Sequence, residues 1–329
     1  MGLQQKKIAV LFLDSLIREK KLTKPMVDAW LRHLSETEIL AELNAEVIES
    51  AASGNMYETW RNVVRAVTKH YKHCDGFVIV HPQEHLLRGM HMIAFMLGQV
   101  GKPVVYTTTP LERDEKSTLA QNTAKTLDHY FFLGLEIHFL NALQYASFSV
   151  AGYTFVFGDT IFPALRTFAI PSDLNQKFDT LDKNYCGVVN MGVQLLVQPS
   201  LEDLEALPEV RPDIESHISI IDTLNLDVFI PTDVAGILVK ADSGEQERKT
   251  IFRGLQQCVQ QRIPTSVFLG NAPDVQDELK EIHNGYIIPL SGMIWETAIS
   301  KWMWVLGQSK DPREIARLLW DNRAGEYKQ

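Results

Sequence analysis

Positive charge is in short supply in this sequence: 32 Lys and Arg stand against 41 Asp and Glu in 329 residues, a net charge of -9 at neutral pH. Neutralising phosphates or anionic lipid needs the opposite balance, so neither nucleic acid nor a membrane surface is an expected partner. Cysteine is scarce as well. The three present, Cys74, Cys186 and Cys258, are odd in number, far apart and in no C-x-x-C spacing. That excludes a disulfide framework and a thiolate zinc knot and points to a reducing compartment. Long hydrophobic runs are missing too. The best candidate, His91 to Val105, is broken by Gly98, Gly101, Lys102 and Pro103, so no stretch approaches the roughly 18 apolar residues of a membrane span. The N-terminal run Ile8–Leu13 stops at Asp14 and reads as a buried strand instead of a signal peptide. A cytoplasmic location is expected.

Glycine-rich phosphate turns are also lacking. The turns where a dinucleotide or mononucleotide fingerprint would fall read LDSLI and HPQEH, and neither a G-x-x-x-x-G-K-[ST] loop nor a G-x-S-x-G elbow occurs. No cofactor is expected. No internal repeat is visible, so a solenoid is not supported.

What is present is an ordinary globular composition, 45% hydrophobic and 22% charged. Short apolar runs, Ile8–Leu13, Gly76–Val80, Pro103–Tyr106, Thr154–Phe157, Gly236–Val239 and Thr265–Leu269, alternate with helical periodicity at Met56–Tyr71, Leu86–Val100, Gln246–Gln261 and Glu296–Leu306. That alternation predicts an α/β fold with a parallel sheet covered on both faces. Residues 198–216 carry three prolines and six acidic residues, the composition of a linker. The expected domains are therefore 1–197 and 217–329. The polar stretch within Leu111–Leu140 is longer than a compact loop requires and is expected to hold its own helix.

His81-Pro82-Gln83-Glu84-His85 spells H-x-x-E-H, a metal-ligand pattern when both imidazoles share a helical face. Pro82 suits a first helical position, which leaves His81 outside the helix and makes a loop at a strand's carboxyl end the competing reading. Such ends are where open parallel sheets place ligand sites. The hydroxyls of Thr107, Thr108 and Thr109 also end a strand and are expected to tie turns. The WMWVLG helix is expected to be core.

Several segments together resemble the bacterial-type L-asparaginase family over nearly the whole chain. Asn55-Met56 with Trp60 resembles S-x-N-M-x-x-x-W, Asp75 to His81 resembles the D-G-x-V-(I/V)-T-H strand, and Lys102-Pro103-Val104-Val105 with Thr107 resembles K-P-V-V-x-T-G. Asn141-Ala142-Leu143 with Ala146, Phe155 to Gly158 and Arg166 resemble later elements. Glu296-Thr297-Ala298 and Lys301 to Gly307, followed by Asp311 to Ile315 and Gly325-Glu326, resemble the C-terminal signature.

The resemblance implies two α/β domains, a larger N-terminal one and a smaller C-terminal one, assembled as a homodimer or a dimer of dimers. It also implies asparagine amide hydrolysis through a threonine nucleophile, and there the chain departs. T-G-G-T-I falls on Leu13 to Ile17, placing Leu16 at the nucleophile. H-G-T-D-T falls on His81 to His85, placing Gln83 at the second threonine and Glu84 at a substrate-binding aspartate. The activating lysine falls on Ala169, three residues beyond Arg166. Ser53 survives beside Gly54, the lid tyrosine has no counterpart, and the partner-domain motif falls on Ala241 to Glu245.

The expectation is a pseudoenzyme of that family, leaning away from catalysis, in which Ser53, Gly54, Gln83, Glu84 and Glu245 line a pocket for a small amine or amino acid. Two alternatives stand beside it. One is altered or metal-dependent chemistry at His81, Glu84 and His85; the other is residual amide hydrolysis by Ser15, reached if the first signature slips by one residue. A protein partner is expected to meet residues 111–140.

Overall fold

The computed structural model describes residues 5–16, 21–109, 124–148, 150–170, 177–196, 207–222, 233–241, 255, 258–270 and 286–327, with side chains of 124–134, 177 and 222 left aside. These fall into two compact units, Met1–Val210 and Arg211–Gln329. Among the described residues no helix is long and apolar enough to cross a membrane.

Unit one is built on an eight-stranded sheet. Its strands are β1 (Lys7–Leu13), β2 (Glu42–Ile48), β3 (Gly76–Val80), β4 (Pro103–Thr107), β5 (Gly152–Phe157), β6 (Thr160–Pro163), β9 (Gly187–Val189) and β10 (Val193–Leu195). A separate antiparallel ribbon pairs β7 (Thr167–Ile170) with β8 (Lys177–Thr180). The sheet order is β10-β9-β6-β5-β4-β3-β1-β2, parallel from β2 to β5 and antiparallel from β5 outward.

Every residue from Ile8 to Leu13 is fully buried, so β1 is covered on both faces, as its unbroken apolar run predicts. Ile8, Val10 and Phe12 enter one core with Val27 and Trp30 of α1 (Lys24–Leu31) and Leu135, Phe139 and Leu143 of α5 (Ala124–Ser147). Trp30 stands edge-on to Phe12, with centroids 6.0 Å apart. Because side chains alternate along a strand, Ala9, Leu11 and Leu13 face the other way. On that side lie α3 (Met56–His70), which contacts β1 and β2, and α4 (Leu86–Leu97), which packs against α3. A short α2 (Ser35–Leu40) precedes β2.

Unit two has a four-stranded parallel sheet in the order β11 (Ile218–Asp222), β12 (Gly236–Lys240), β13 (Thr265–Phe268), β14 (Ile287–Leu290), followed by α6 (Trp295–Gln308) and α7 (Pro312–Trp320). Of the helix expected at 246–261, residues 255 and 258–261 are described; 255 and 258–260 are helical and 261 is already in the turn that follows. Residues 211–216 of the expected linker run along α6. The Trp304 indole donates to the Arg211 carbonyl (3.0 Å), and a Cβ on Gly307 would fall 2.7 Å from the Asp213 carbonyl.

All six expected strands are present. Those not expected are β2, β6 to β10 and, in unit two, β11 and β14. In β2, ELNAEVI mixes charged and apolar residues because it is the edge strand and only half covered. The strands β6 to β10 are three or four residues long, too short to carry a periodicity.

The C-terminal signature is held by a buried ion pair. Lys301 of α6 meets Glu326, both with fully buried side chains. The Lys301 ammonium also donates to the Asp321 carbonyl and lies 4.5 Å from the centre of the Tyr327 ring. Glu326 in turn accepts the backbone N–H groups of Arg323 (3.1 Å) and Ala324 (2.8 Å). Removing one member strands the other charge in a dry site, at a cost of about 3–5 kcal/mol. Lys301→Met and Glu326→Leu should each lower stability towards denaturant by about that much, and the double variant should recover most of it. Single variants within about 1 kcal/mol of the parent would contradict the burial of the pair.

Candidate functional site

Three loops leave neighbouring strands at the carboxyl edge of the large sheet. In the register Phe12 pairs with Val80 and Leu13 with Ile48, so Asp14–Leu16, Ser50–Asn55 and His81–His85 emerge side by side from β1, β2 and β3. The connection from β2 to β3 passes over β1, which makes this edge a topological switch point where an α/β sheet opens a crevice.

The first loop is stapled shut by a residue that sequence reasoning left out. Asp14 is buried, and one carboxylate oxygen accepts both the Ser50 backbone N–H (2.8 Å) and the Ser50 hydroxyl, while the other meets Lys21 at 3.2 Å. The Leu22 N–H closes the loop onto the Asp14 carbonyl at 2.9 Å. A contact between residues 14 and 50 leaves no mark in local spacing. The next two residues part company: Ser15 is exposed, whereas Leu16 is 4% exposed and belongs to the core cluster of Phe12, Leu22, Val27 and Trp30.

In the second loop Ser53 and Gly54 are exposed, and Gly54 takes a left-handed conformation (φ +71°) that suits a residue without a side chain. Here the polar groups serve the start of α3. Asn55 caps the helix by accepting the Tyr57 N–H (2.9 Å), and Ser53 accepts the Asn55 N–H (3.3 Å).

The third loop begins at His81, which is completely buried. Its Nε2 accepts the Trp60 indole N–H at 3.0 Å and its Nδ1–H donates to the Pro82 carbonyl at 2.8 Å, which fixes a neutral imidazole. Both ring nitrogens are thus taken. A Cβ on Gly89 would stand 2.3 Å from His81 Nε2, so glycine is required there. Thr108 donates its hydroxyl to the His81 carbonyl (2.8 Å) and Thr107 to that of Val156 (3.0 Å), as expected of strand-end ties. Gln83 is half-buried; Glu84 and His85 are exposed on a short 3-10 turn. Among the described residues no group of three or more His, Cys, Asp or Glu is placed to hold a metal ion.

Ala169 lies elsewhere, on the β7–β8 ribbon opposite Phe178. Arg166 just before it is largely buried and meets Asp182 at 3.2 Å. Asp242–Glu245 and 110–123 lie outside the described residues; the rest of the 111–140 stretch enters α5, in line with the helix expected there.

The other motif residues each have a packing duty. Asn141 donates to the Gly158 carbonyl (2.8 Å), while the Gly158 N–H donates to His138 (3.0 Å), so two residues of α5 grip the turn after β5. Lys102 donates to the carbonyls of Tyr71 and Cys74 beyond α3.

Burial lowers the pKa of both His81 and His138 from 6.5 to about 4. Each binds its proton more weakly folded than unfolded. Its contribution is therefore complete above pH 6.5 and drains away as pH falls towards 4. For fully buried His81 this amounts to about 3 kcal/mol. Unfolding midpoints should fall between pH 6.5 and 4, with a shallower slope in His81→Asn; an identical slope would show that His81 is not held neutral.

Known proteins share both the sequence pattern and the architecture. The family described as Asparaginase, N-terminal matches residues 17–125. The L-asparaginase of Thermococcus kodakarensis is 24% identical over 82% of this chain and 81% of its own. One subunit of the glutamyl-tRNA(Gln) amidotransferase of Metallosphaera sedula is 22% identical over 90% of this chain and 70% of its own. The crystal structure of L-asparaginase I from Vibrio cholerae superposes with a TM-score of 0.73 at 16% identity, covering 99% of this chain and all of that one, so the two-domain asparaginase fold is shared. By its matched N-terminal region, its relatives and its fold, the chain is similar to the asparaginases.

Proposed function

We propose that this chain keeps the asparaginase fold for binding and does not hydrolyse asparagine by the family route. The observation that carries the reading is Leu16. The residue aligned with the nucleophile has no atom that can attack a carbonyl, and its side chain is part of the core beside Phe12 and Trp30. The second threonine position is Gln83 and the activating lysine position is Ala169, on a ribbon where it pairs with Phe178. Losing one member of a hydrolytic set can cost about a millionfold in turnover; here three positions changed together. The motif residues that remain, Asn55, Trp60, His81, Lys102, Asn141 and Lys301, are occupied in caps, ties and a buried ion pair.

The exposed groups at the crevice, Ser15, Ser53, Gly54, Glu84 and His85 with half-buried Gln83, suit a small polar or cationic ligand such as an amine or amino acid, with Glu245 a proposed further contributor. A homodimer or dimer of dimers in the cytoplasm, and a protein partner at 111–140, belong to the same proposal. So do domain limits of 1–197 and 217–329.

A second reading has one observation in its favour: Ser15, not Leu16, is the residue exposed at the end of β1. The amine placed in the same loop, Lys21, is engaged in an ion pair with the Asp14 carboxylate at 3.2 Å. Metal chemistry at His81 and His85 would first have to displace the Trp60 indole from His81 Nε2 or the Pro82 carbonyl from its Nδ1.

Purified protein should release no ammonia from asparagine or glutamine above background, and Leu16→Thr should add no activity. Burying a hydroxyl and opening a gap in the core should instead cost about 2–4 kcal/mol of stability. Ammonia release abolished by Ser15→Ala would establish the second reading. In a thermal-shift screen of amino acids and polyamines, one that occupies the crevice should raise the melting temperature, and Glu84→Gln should weaken that effect for amines. No shift from any of them would remove the proposed ligand class.

A further inference from the structure

An open cavity of about 560 Å³ lies where α1, α2 and the start of β2 meet. That volume falls in the range of small-molecule sites, about 300–1,000 Å³. Leu31, Ala41 and Leu43 supply its apolar surface. Four charged side chains line it as well, and two of them are already neutralised: Asp28 pairs with Lys24, and Glu42 with Lys7 at 3.2 Å. The other two are not. Arg32, at the end of α1, and Glu38, on α2, are exposed, and among the described residues neither side chain has an ion-pair or hydrogen-bond partner. They do not pair with each other either. Opposite charges that share a cavity without closing on one another leave room between them for a ligand that carries both.

We propose that this cavity binds a linear ω-amino acid, a chain of methylenes with a carboxylate at one end and an ammonium at the other. Arg32 takes the carboxylate, for which the planar fork of its guanidinium provides paired donors. Glu38 takes the ammonium. The methylenes between them lie on Leu31, Ala41 and Leu43, which removes apolar surface from water on both sides. A ligand with one charge leaves either Arg32 or Glu38 unmatched, and an α-amino acid carries its two charges on neighbouring atoms and cannot separate them across the apolar surface. The cavity is at the amino end of β2, and the crevice at its carboxyl end. Seven residues of strand, about 20 Å, separate the two. The proposal therefore stands or falls apart from the reading of Leu16 and from any ligand at Glu84.

The test is equilibrium dialysis of the full chain, at low ionic strength and millimolar ligand, with γ-aminobutyrate, δ-aminovalerate and ε-aminocaproate. Norleucine, the α-amino isomer of the last, with hexylamine and caproate, serve as controls. At least one of the ω-amino acids should bind about tenfold tighter than every control, the worth of one charge-assisted hydrogen bond. The variants then assign the ends. In Arg32→Gln the ω-amino acid should bind no better than hexylamine, and in Glu38→Gln no better than caproate. Glu84→Gln, in the crevice, should leave binding unchanged. Circular dichroism confirms that these surface variants fold. No binding of any ω-amino acid, norleucine bound equally well, affinity kept in both cavity variants, or affinity lost in Glu84→Gln would overturn the proposal.

Discussion

A strand covered on both faces can end in only a few ways, and β1 is such a strand. Its six residues from Ile8 to Leu13 are fully buried, alternating between the α1–α5 core and the α3–α4 layer. The backbone that leaves it must turn within reach of β2 and β3, its two hydrogen-bonded neighbours. Whatever stands at that turn therefore faces the crevice or continues the core. Here Ser15 does the first and Leu16 the second, and the core gains a large aliphatic group where the family's chemistry calls for a hydroxyl. Burying a leucine stabilises by roughly 1.5–3 kcal/mol, so Leu16 serves the fold.

The same separation of fold from chemistry runs through the other motifs. Trp60 and His81 lie 21 residues apart, yet they form one hydrogen-bonded unit with Gly89 making room for the ring. Lys301 and Glu326 are a charge pair in the dry interior of unit two. Such contacts are costly to break singly, because each leaves a buried polar group without its partner. Chemical residues carry no such penalty. Gln83 and Glu84 occupy a surface turn, and Ala169 a two-stranded ribbon, where substitution disturbs little packing.

The central strands of the large sheet were legible because burial on both faces writes an unbroken apolar run: GFVIV and PVVYT could hardly be anything else. The edge strand β2 was not, since half of ELNAEVI faces water, and neither were the short antiparallel strands after β5. At the crevice, the loops carrying Ser15 and Gln83 followed from the apolar runs that end just before them. The Asp14 staple did not, because a carboxylate reaching Ser50 spans 36 residues and obeys no local period.

The sequence by itself determined the α/β alternation and the resemblance to asparaginases, because these depend on residue type and order alone. Only the tertiary structure decided that Leu16 turns inward while Ser15 turns outward, and that both nitrogens of His81 are spent. Those outcomes depend on which strands become neighbours, and neighbours in a sheet are chosen by the packing of the whole core.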